Sequence, residues 1–215
     1  MYSLYNIPRW GSLAPHLVLE ELDVPYQNIW TTREKVKDPV FRELSPSGLI
    51  PVLRLDDGRS VIESAAIVTY LCDADPSGKL APRPGTADHA VYLGWLSFMS
   101  SNLYQTINLA IYPQALAEGE AAQAALQARA TERSLELFDI IEKKLRLEGP
   151  WLLGDAFSAG DLYLFMMAVW AKPSEAALHD RCPWIGAVCN CVRQRPRLAA
   201  ALEAHGVSKV GGPGA

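Results

Sequence analysis

The chain has 215 residues, 49% of them hydrophobic and 20% charged, which suits a buried core in one large domain or two small ones. A formal net charge of −4 leaves no broad basic surface for nucleic acid. The sequence has no long uncharged apolar run and no charged-then-apolar N-terminus, so a cytoplasmic protein with no membrane partner is expected.

From the N-terminus, Tyr2 to Tyr5 reads as a short strand. Ser12 to Leu22 reads as a helix with apolar residues at 13, 14, 17, 18 and 22. Tyr26 to Trp30 returns to a β-rich pattern. Val52-Leu53-Arg54-Leu55, the turn Asp56-Asp57-Gly58 and Ser60-Val61-Ile62 together spell a β-hairpin. An apolar helix from Ser64 to Ala74 ends before Asp75-Pro76. The order βαβ and then ββα predicts a small α/β domain over residues 1–76, its sheet flanked by helices.

Pro76-Ser77-Gly78 and Pro82-Arg83-Pro84-Gly85 punctuate the chain, placing a linker at 77–86. Helical periodicity beyond it predicts an all-α domain over 87–205. Ala87 to Ile111 is one long helix or a bent pair stopped at Pro113, and Glu120 to Leu147 runs up to Gly149-Pro150. Ser158-Ala159-Gly160-Asp161 resembles a capping box for a helix to Trp170, with Phe157 and Leu162 placed as its hydrophobic staple. Pro183 to Arg195 and Pro196 to Ala204 complete the domain. Residues 206–215, with Gly211-Gly212-Pro213-Gly214, read as a flexible tail. Cys72, Cys182, Cys189 and Cys191 are too few for a disulfide framework. With His179 they lack the paired spacing of a tetrahedral zinc site, so no metal is expected and the thiols read as buried and inert.

The richest stretch is Pro46-Ser47-Gly48-Leu49-Ile50-Pro51-Val52-Leu53, followed by Glu63-Ser64. Pro51 either begins an edge strand or forms a cis Ile50–Pro51 bond that turns the Ile50 N–H and C=O toward an extended peptide ligand. Ser64 is an ordinary N-cap, or it binds a carboxylate at the helix end while Glu63 pairs an ammonium on the same ligand. Ser12 meets Pro15 where the third helical N–H would stand, which limits its capping to the Ala14 amide and frees its hydroxyl proton to donate elsewhere. Tyr5 is the competing hydroxyl, or simply an aromatic strand residue. Glu20, Glu21, Lys35 and Lys37 read as solvated charge, with Arg33, Lys35 and Lys37 also within reach of a second ligand carboxylate. Trp10, Met99, Leu103, Tyr104 and Tyr112 are candidates for an apolar substrate wall. Met99 and Leu103 suit a core better, whereas the polar tips of Tyr104 and Tyr112 suit a wet cleft.

Taken together these motifs resemble the cytosolic glutathione transferase superfamily across nearly the whole chain. Pro8…Ser12-Leu13-Ala14-Pro15-His16 is similar to bacterial members. Pro46-x-Gly48-x-x-Pro51-x-Leu53 and Ile62-Glu63-Ser64-x-x-Ile67-x-x-Tyr70-Leu71 are similar to the glutathione-site signature, and Gly154-Asp155-x-x-Ser158-x-x-Asp161 to the family's capping motif. The resemblance implies a thioredoxin-like domain followed by a helical bundle, and a homodimer with its clefts between the two domains. It implies glutathione as co-substrate, bound by Leu49, Ile50, Pro51, Glu63 and Ser64, with Ile50 pairing the cysteinyl backbone and Glu63-Ser64 holding the γ-glutamyl end. Many bacterial relatives carry a cysteine immediately before the Ser-Leu-Ala-Pro-His segment; here that position is Gly11, so a mixed disulfide there is not expected. Ser12 and Tyr5 remain as thiolate-stabilising candidates, with Ser12 favoured. The expected activity is attack of the glutathione thiolate on a small hydrophobic electrophile. A glutathione-dependent peroxidase, isomerase or dehalogenase, and a non-catalytic interaction module of this fold, are the rival expectations.

Overall fold

The computed structural model of the chain describes residues 1–211. Strands β1 (Tyr2–Asn6), β2 (Tyr26–Trp30), β3 (Val52–Arg54) and β4 (Ser60–Ile62) form one sheet in the order β2-β1-β3-β4. β1 runs parallel to β2 because helix α1 (Leu13–Leu22) crosses over between them, and β3 and β4 form an antiparallel hairpin. Helix α3 (Ser64–Ala74) packs beside α1, and the four-residue α2 (Pro39–Arg42) supplies Phe41 to the opposite side. Period-two alternation sorts β1 between the two faces. Leu4 joins the core with Leu13, Leu17 and Ile67, whereas Tyr5 packs edge-on against Phe41 at 5.7 Å. This mixed sheet with its helices is the thioredoxin-like arrangement.

The second part is helical: α4 (Ala87–Phe98), α5 (Tyr104–Ile111), α6 (Glu120–Glu148), α7 (Ala159–Val169), α8 (Glu175–Arg181), α9 (Pro183–Arg193) and α10 (Ala199–Ala204). All eleven residues of α7 are buried, so this helix, apolar on every side, forms the axis of the bundle. Its start is a capping box. The Asp161 carboxylate accepts the Ser158 N–H at 2.8 Å and the Leu152 N–H at 2.9 Å, while Ser158 Oγ accepts from Gly160 at 3.2 Å. Helices α4 and α5 are joined by a π-helical turn over Met99–Leu103, so the long segment is a re-phased pair rather than one regular helix.

Four features depart from the sequence reading. Helix α8 was not expected; Ser174 caps it by accepting the Ala177 N–H at 3.1 Å. Glu21 is 2% exposed rather than solvated, with Arg195 Nε and Nη2 at 2.6 and 2.8 Å and Lys79 Nζ at 3.5 Å. Those two cations come from later in the chain, so local pattern could not reveal them. The presumed tail from residue 206 is packed at its start: Val207 is buried, and its carbonyl accepts Arg193 Nε at 3.0 Å. Residues 212–215 of that tail lie outside the described residues. Finally, Cys72, Cys182 and Cys189 are buried but Cys191 is exposed. Glu175, His179 and Cys189 bring donor atoms within 4.8 Å of one another. The Arg193 guanidinium already sits on both Glu175 oxygens at 2.6 and 2.8 Å, so the cluster is built around an ion pair with a cation in place.

Candidate functional site

A cleft of about 1230 Å³ opens between the sheet domain and the helical domain. The sheet domain supplies the loop from Pro8 to Gly11, the turn around Ile50-Pro51 and the start of α3. The helical domain supplies α5, the end of α7 and the segment after it. Of the residues singled out from sequence, Trp10, Leu49, Ile50, Pro51, Glu63, Ser64, Tyr104 and Tyr112 all line this cleft.

The Ile50–Pro51 peptide is cis. Ile50 precedes the paired part of β3, and no backbone hydrogen bond among the described residues uses its N–H or C=O. A peptide-like donor and acceptor therefore lie at the cleft with no hydrogen-bond partner among the described residues. Glu63 lies at φ 67° and ψ 117°, a conformation unusual for a residue with a side chain. It turns the chain abruptly from β4 into α3, and no side chain caps the helix. The first backbone bond of α3 is Ile67 N–H to the Glu63 carbonyl at 2.9 Å, which leaves the amides of Ser64, Ala65 and Ala66 at an open helix end. Ala65 and Ala66 line the cleft beside Glu63. Such a helix end has the amide donors and dipole that suit an anion, next to a carboxylate that suits a cation. Ser64 is buried, and its hydroxyl lies 2.9 Å from that of Tyr163 on α7.

The loop before α1 is held from the far domain. Trp170 Nε1 donates to the Arg9 carbonyl at 2.6 Å, and the Arg9 N–H donates to His205 Nδ1 at 3.0 Å. Trp170 also stands edge-on to Tyr104, with ring centres 5.1 Å apart. At the mouth, Arg33 Nη2 donates to the Tyr112 hydroxyl at 2.9 Å, and its guanidinium carbon lies 4.9 Å from the Trp10 ring centre. Arg33, which the sequence offered either as loop charge or as a contact for a ligand carboxylate, lines the cleft, and so do Tyr163 and Trp170, which sequence reasoning overlooked. Tyr163 sits on α7, buried on every side, and Trp170 directly follows its last residue, so which of them faces the cleft cannot be read locally.

Four candidates lie elsewhere. Ser12 is fully buried; its Oγ donates to the Ile7 carbonyl and accepts the Ile7 N–H, both at 3.3 Å. The expected free hydroxyl is thus committed to the loop's own backbone. Ser12 has helical backbone angles (φ −77°, ψ −11°), which turns its side chain away from capping. The Ala14 N–H that it was expected to meet goes instead to Met166 Sδ at 3.4 Å. Tyr5 points to the opposite sheet face, toward Phe41. Met99 and Leu103 are fully buried core residues and do not reach the cleft wall.

The fold and this cleft define a protein of the glutathione transferase type, and comparison with known proteins agrees. The glutathione S-transferase N-terminal domain profile matches residues 12–74 and the C-terminal domain profile residues 123–204. Glutathione S-transferase GstB of Escherichia coli K12 is 32% identical over 68% of this chain and 71% of its own. A glutathione transferase from Methylococcus capsulatus is 30% identical, covering 96% of this chain and 100% of its own with a TM-score of 0.82. A sphingomonad glutathione S-transferase solved in complex with glutathione is also 30% identical, covering 95% and 99% with a TM-score of 0.81. The chain belongs to the glutathione S-transferase family.

Proposed function

We propose that this protein is a glutathione transferase that binds glutathione along the sheet-domain wall of the cleft and delivers its thiolate to a hydrophobic electrophile. The observation that carries this reading is the pairing of two unsatisfied backbone sites on one wall. Ile50 offers a lone N–H and C=O, and the uncapped end of α3 offers amides beside Glu63. A tripeptide with a γ-glutamyl end fits both: its cysteinyl backbone pairs with Ile50, its α-carboxylate meets Ser64 and the α3 amides, and its ammonium meets Glu63. Leu49 and Pro51 flank the peptide.

The thiol proton leaves to solvent as glutathione binds. The sulfur then forms a C–S bond at the electrophilic carbon, and the leaving group departs with its bonding pair. Lowering a thiol pKa from ~8.5 to near 7 requires roughly 2 kcal/mol of preferential thiolate stabilisation. Trp10, Tyr104 and Tyr112 form the wall that holds the electrophile. None of the four cysteines lines the cleft, which favours conjugation over chemistry through a protein–glutathione disulfide.

Calorimetric titration with glutathione, together with turnover of a chloronitroarene, tests this reading. Ser64→Ala and Glu63→Gln are each expected to weaken glutathione binding about tenfold or more, the worth of a charge-assisted hydrogen bond. A wild-type protein that binds no glutathione refutes it. A homodimer belongs to the same proposal. Val91, Gly94, Trp95 and Phe98 form an exposed to half-buried stripe at helical spacing on α4, with exposed Tyr70 on α3, and a second copy would cover them. Sedimentation equilibrium reads that mass directly, and Val91→Glu is expected to halve it.

A further inference from the structure

We propose that Tyr104, from the helical domain, supplies the hydroxyl that holds the glutathione sulfur as a thiolate, occupying the space that a side chain at position 11 would otherwise fill. The proposal rests on the glutathione reading of the cleft. A Cβ placed on Gly11 would stand 2.6 Å from the Tyr104 hydroxyl oxygen, closer than any real contact, and 3.5 Å from the Ile50 carbonyl. The absent side chain and the phenol are two halves of one fit: glycine at 11 makes the room, and Tyr104 fills it. The phenol oxygen therefore sits in the corner of the cleft where a cysteinyl residue paired to Ile50 would project its sulfur.

The other hydroxyl candidates are committed or remote. Ser12 is bonded to Ile7 and Tyr5 faces Phe41. Tyr104 Oη makes no hydrogen bond to any described residue, while the ring is fixed edge-on by Trp170. The π-helical turn at Met99–Leu103 ends immediately before Tyr104, a re-phasing of the helix at the residue that faces Gly11. Burial pushes the phenol up to about 12, with the charges of Glu63 and Tyr112 adding to the effect, so it remains a proton donor throughout the working range. A thiolate accepting this O–H is favoured over the thiol, whose proton has gone to solvent.

The experiment follows the ultraviolet absorbance of the bound thiolate against pH in wild type, Tyr104→Phe, Gly11→Ala and the double variant. S-methylglutathione binding is measured alongside, because that ligand has no ionisable thiol. Tyr104→Phe is expected to raise the apparent pKa of bound glutathione by about 1–2 and to lower kcat/KM at neutral pH roughly 10- to 100-fold. S-methylglutathione affinity should stay near wild type. Gly11→Ala should displace the phenol and raise the same pKa, and the double variant should be no worse than the more impaired single one. An unchanged thiolate titration in Tyr104→Phe overturns the proposal and leaves the backbone amides of Gly11 and Ser12 as the donors. Fully additive losses in the double variant overturn the shared-space argument. Failure of the wild type to bind S-methylglutathione refutes the glutathione reading itself, which separates the two.

Discussion

Ser12→Ala removes a hydroxyl whose two partners are the N–H and C=O of a single buried residue, Ile7. The expected consequence is structural: unfolding free energy lower by about 1–2 kcal/mol, read from the urea midpoint, with the rate per folded molecule near wild type. A normal midpoint with a collapsed rate would instead return the hydroxyl to the chemistry. Pro15 does remove the amide that Ser12 would cap, as sequence indicates. What sequence could not supply was the hydroxyl's destination, because Ile7 meets Ser12 only after the loop between them has folded back. Tyr5 fails for a simpler reason. Strand alternation fixes that Leu4 and Tyr5 face opposite ways, but which face carries the site depends on where the second domain docks. That Ile50, Glu63 and Ser64 share one cleft could be read because the signals are local: a proline, a turn and a helix start carry them.

At the level of elements, backbone geometry sets the firmest expectations. Gly149 ends α6 at φ 134°, and a Cβ there would stand 2.8 Å from the carbonyl carbon and oxygen of Gly154. Gly85 also has positive φ, at 84°, but nothing lies within 4 Å of its would-be Cβ. Gly85→Ala is therefore expected to cost about 1 kcal/mol from conformation alone, and Gly149→Ala several times more, since backbone atoms must also move apart. Thermal unfolding of the two variants compares them directly, and equal losses would mean that the turn after α6, where Trp151 and Gly154 form an antiparallel bridge, yields easily. The hairpin of β3 and β4 and the capping box of α7 follow from contiguous signals, a three-residue turn and a serine three residues before an aspartate. Helix α8 escaped because its seven residues carry too little periodicity to stand out, although Ser174 before Glu175 was a usable start signal.

Across the whole molecule, the C-terminal segment is tied to the loop before α1 through two buried histidines. His16 Nδ1 lies 2.9 Å from His205 Nε2, and His205 Nδ1 accepts the Arg9 N–H. Accepting that bond leaves the His205 proton on Nε2, directed at His16. Around His16 stand Asn6 and Asn28, the Glu20 carboxylate at 3.6 Å, and the rings of Tyr26 and Trp30. Burial lowers His16 to about 4; burial, and then the charge of His16, lowers His205 to about 3. Both rings are neutral when folded and take up protons near pH 6.5 when unfolded. Their contribution is complete above pH 6.5 and is lost as pH falls toward 4 and below, on the order of a few kcal/mol. His205→Gln should flatten the dependence of unfolding free energy on pH between 6.5 and 4, beyond what the carboxylates retain. An identical slope in wild type and variant would contradict this account.

The sequence alone determined the two-part order, the β3–β4 hairpin, the capping box of α7 and the grouping of Ile50 with Glu63-Ser64 as one candidate site. These rest on neighbours in the chain, where periodicity, proline and capping act over a few residues. Only the tertiary structure decided which hydroxyl stands against Gly11, which charges are buried and which segments line the cleft. Gly11 against Tyr104, Glu21 against Arg195 and Arg9 against His205 are contacts between segments that meet only when the helical domain packs on the sheet. Close packing leaves room for one side chain at each such point, and the sequence does not say in advance which part of the chain will fill it.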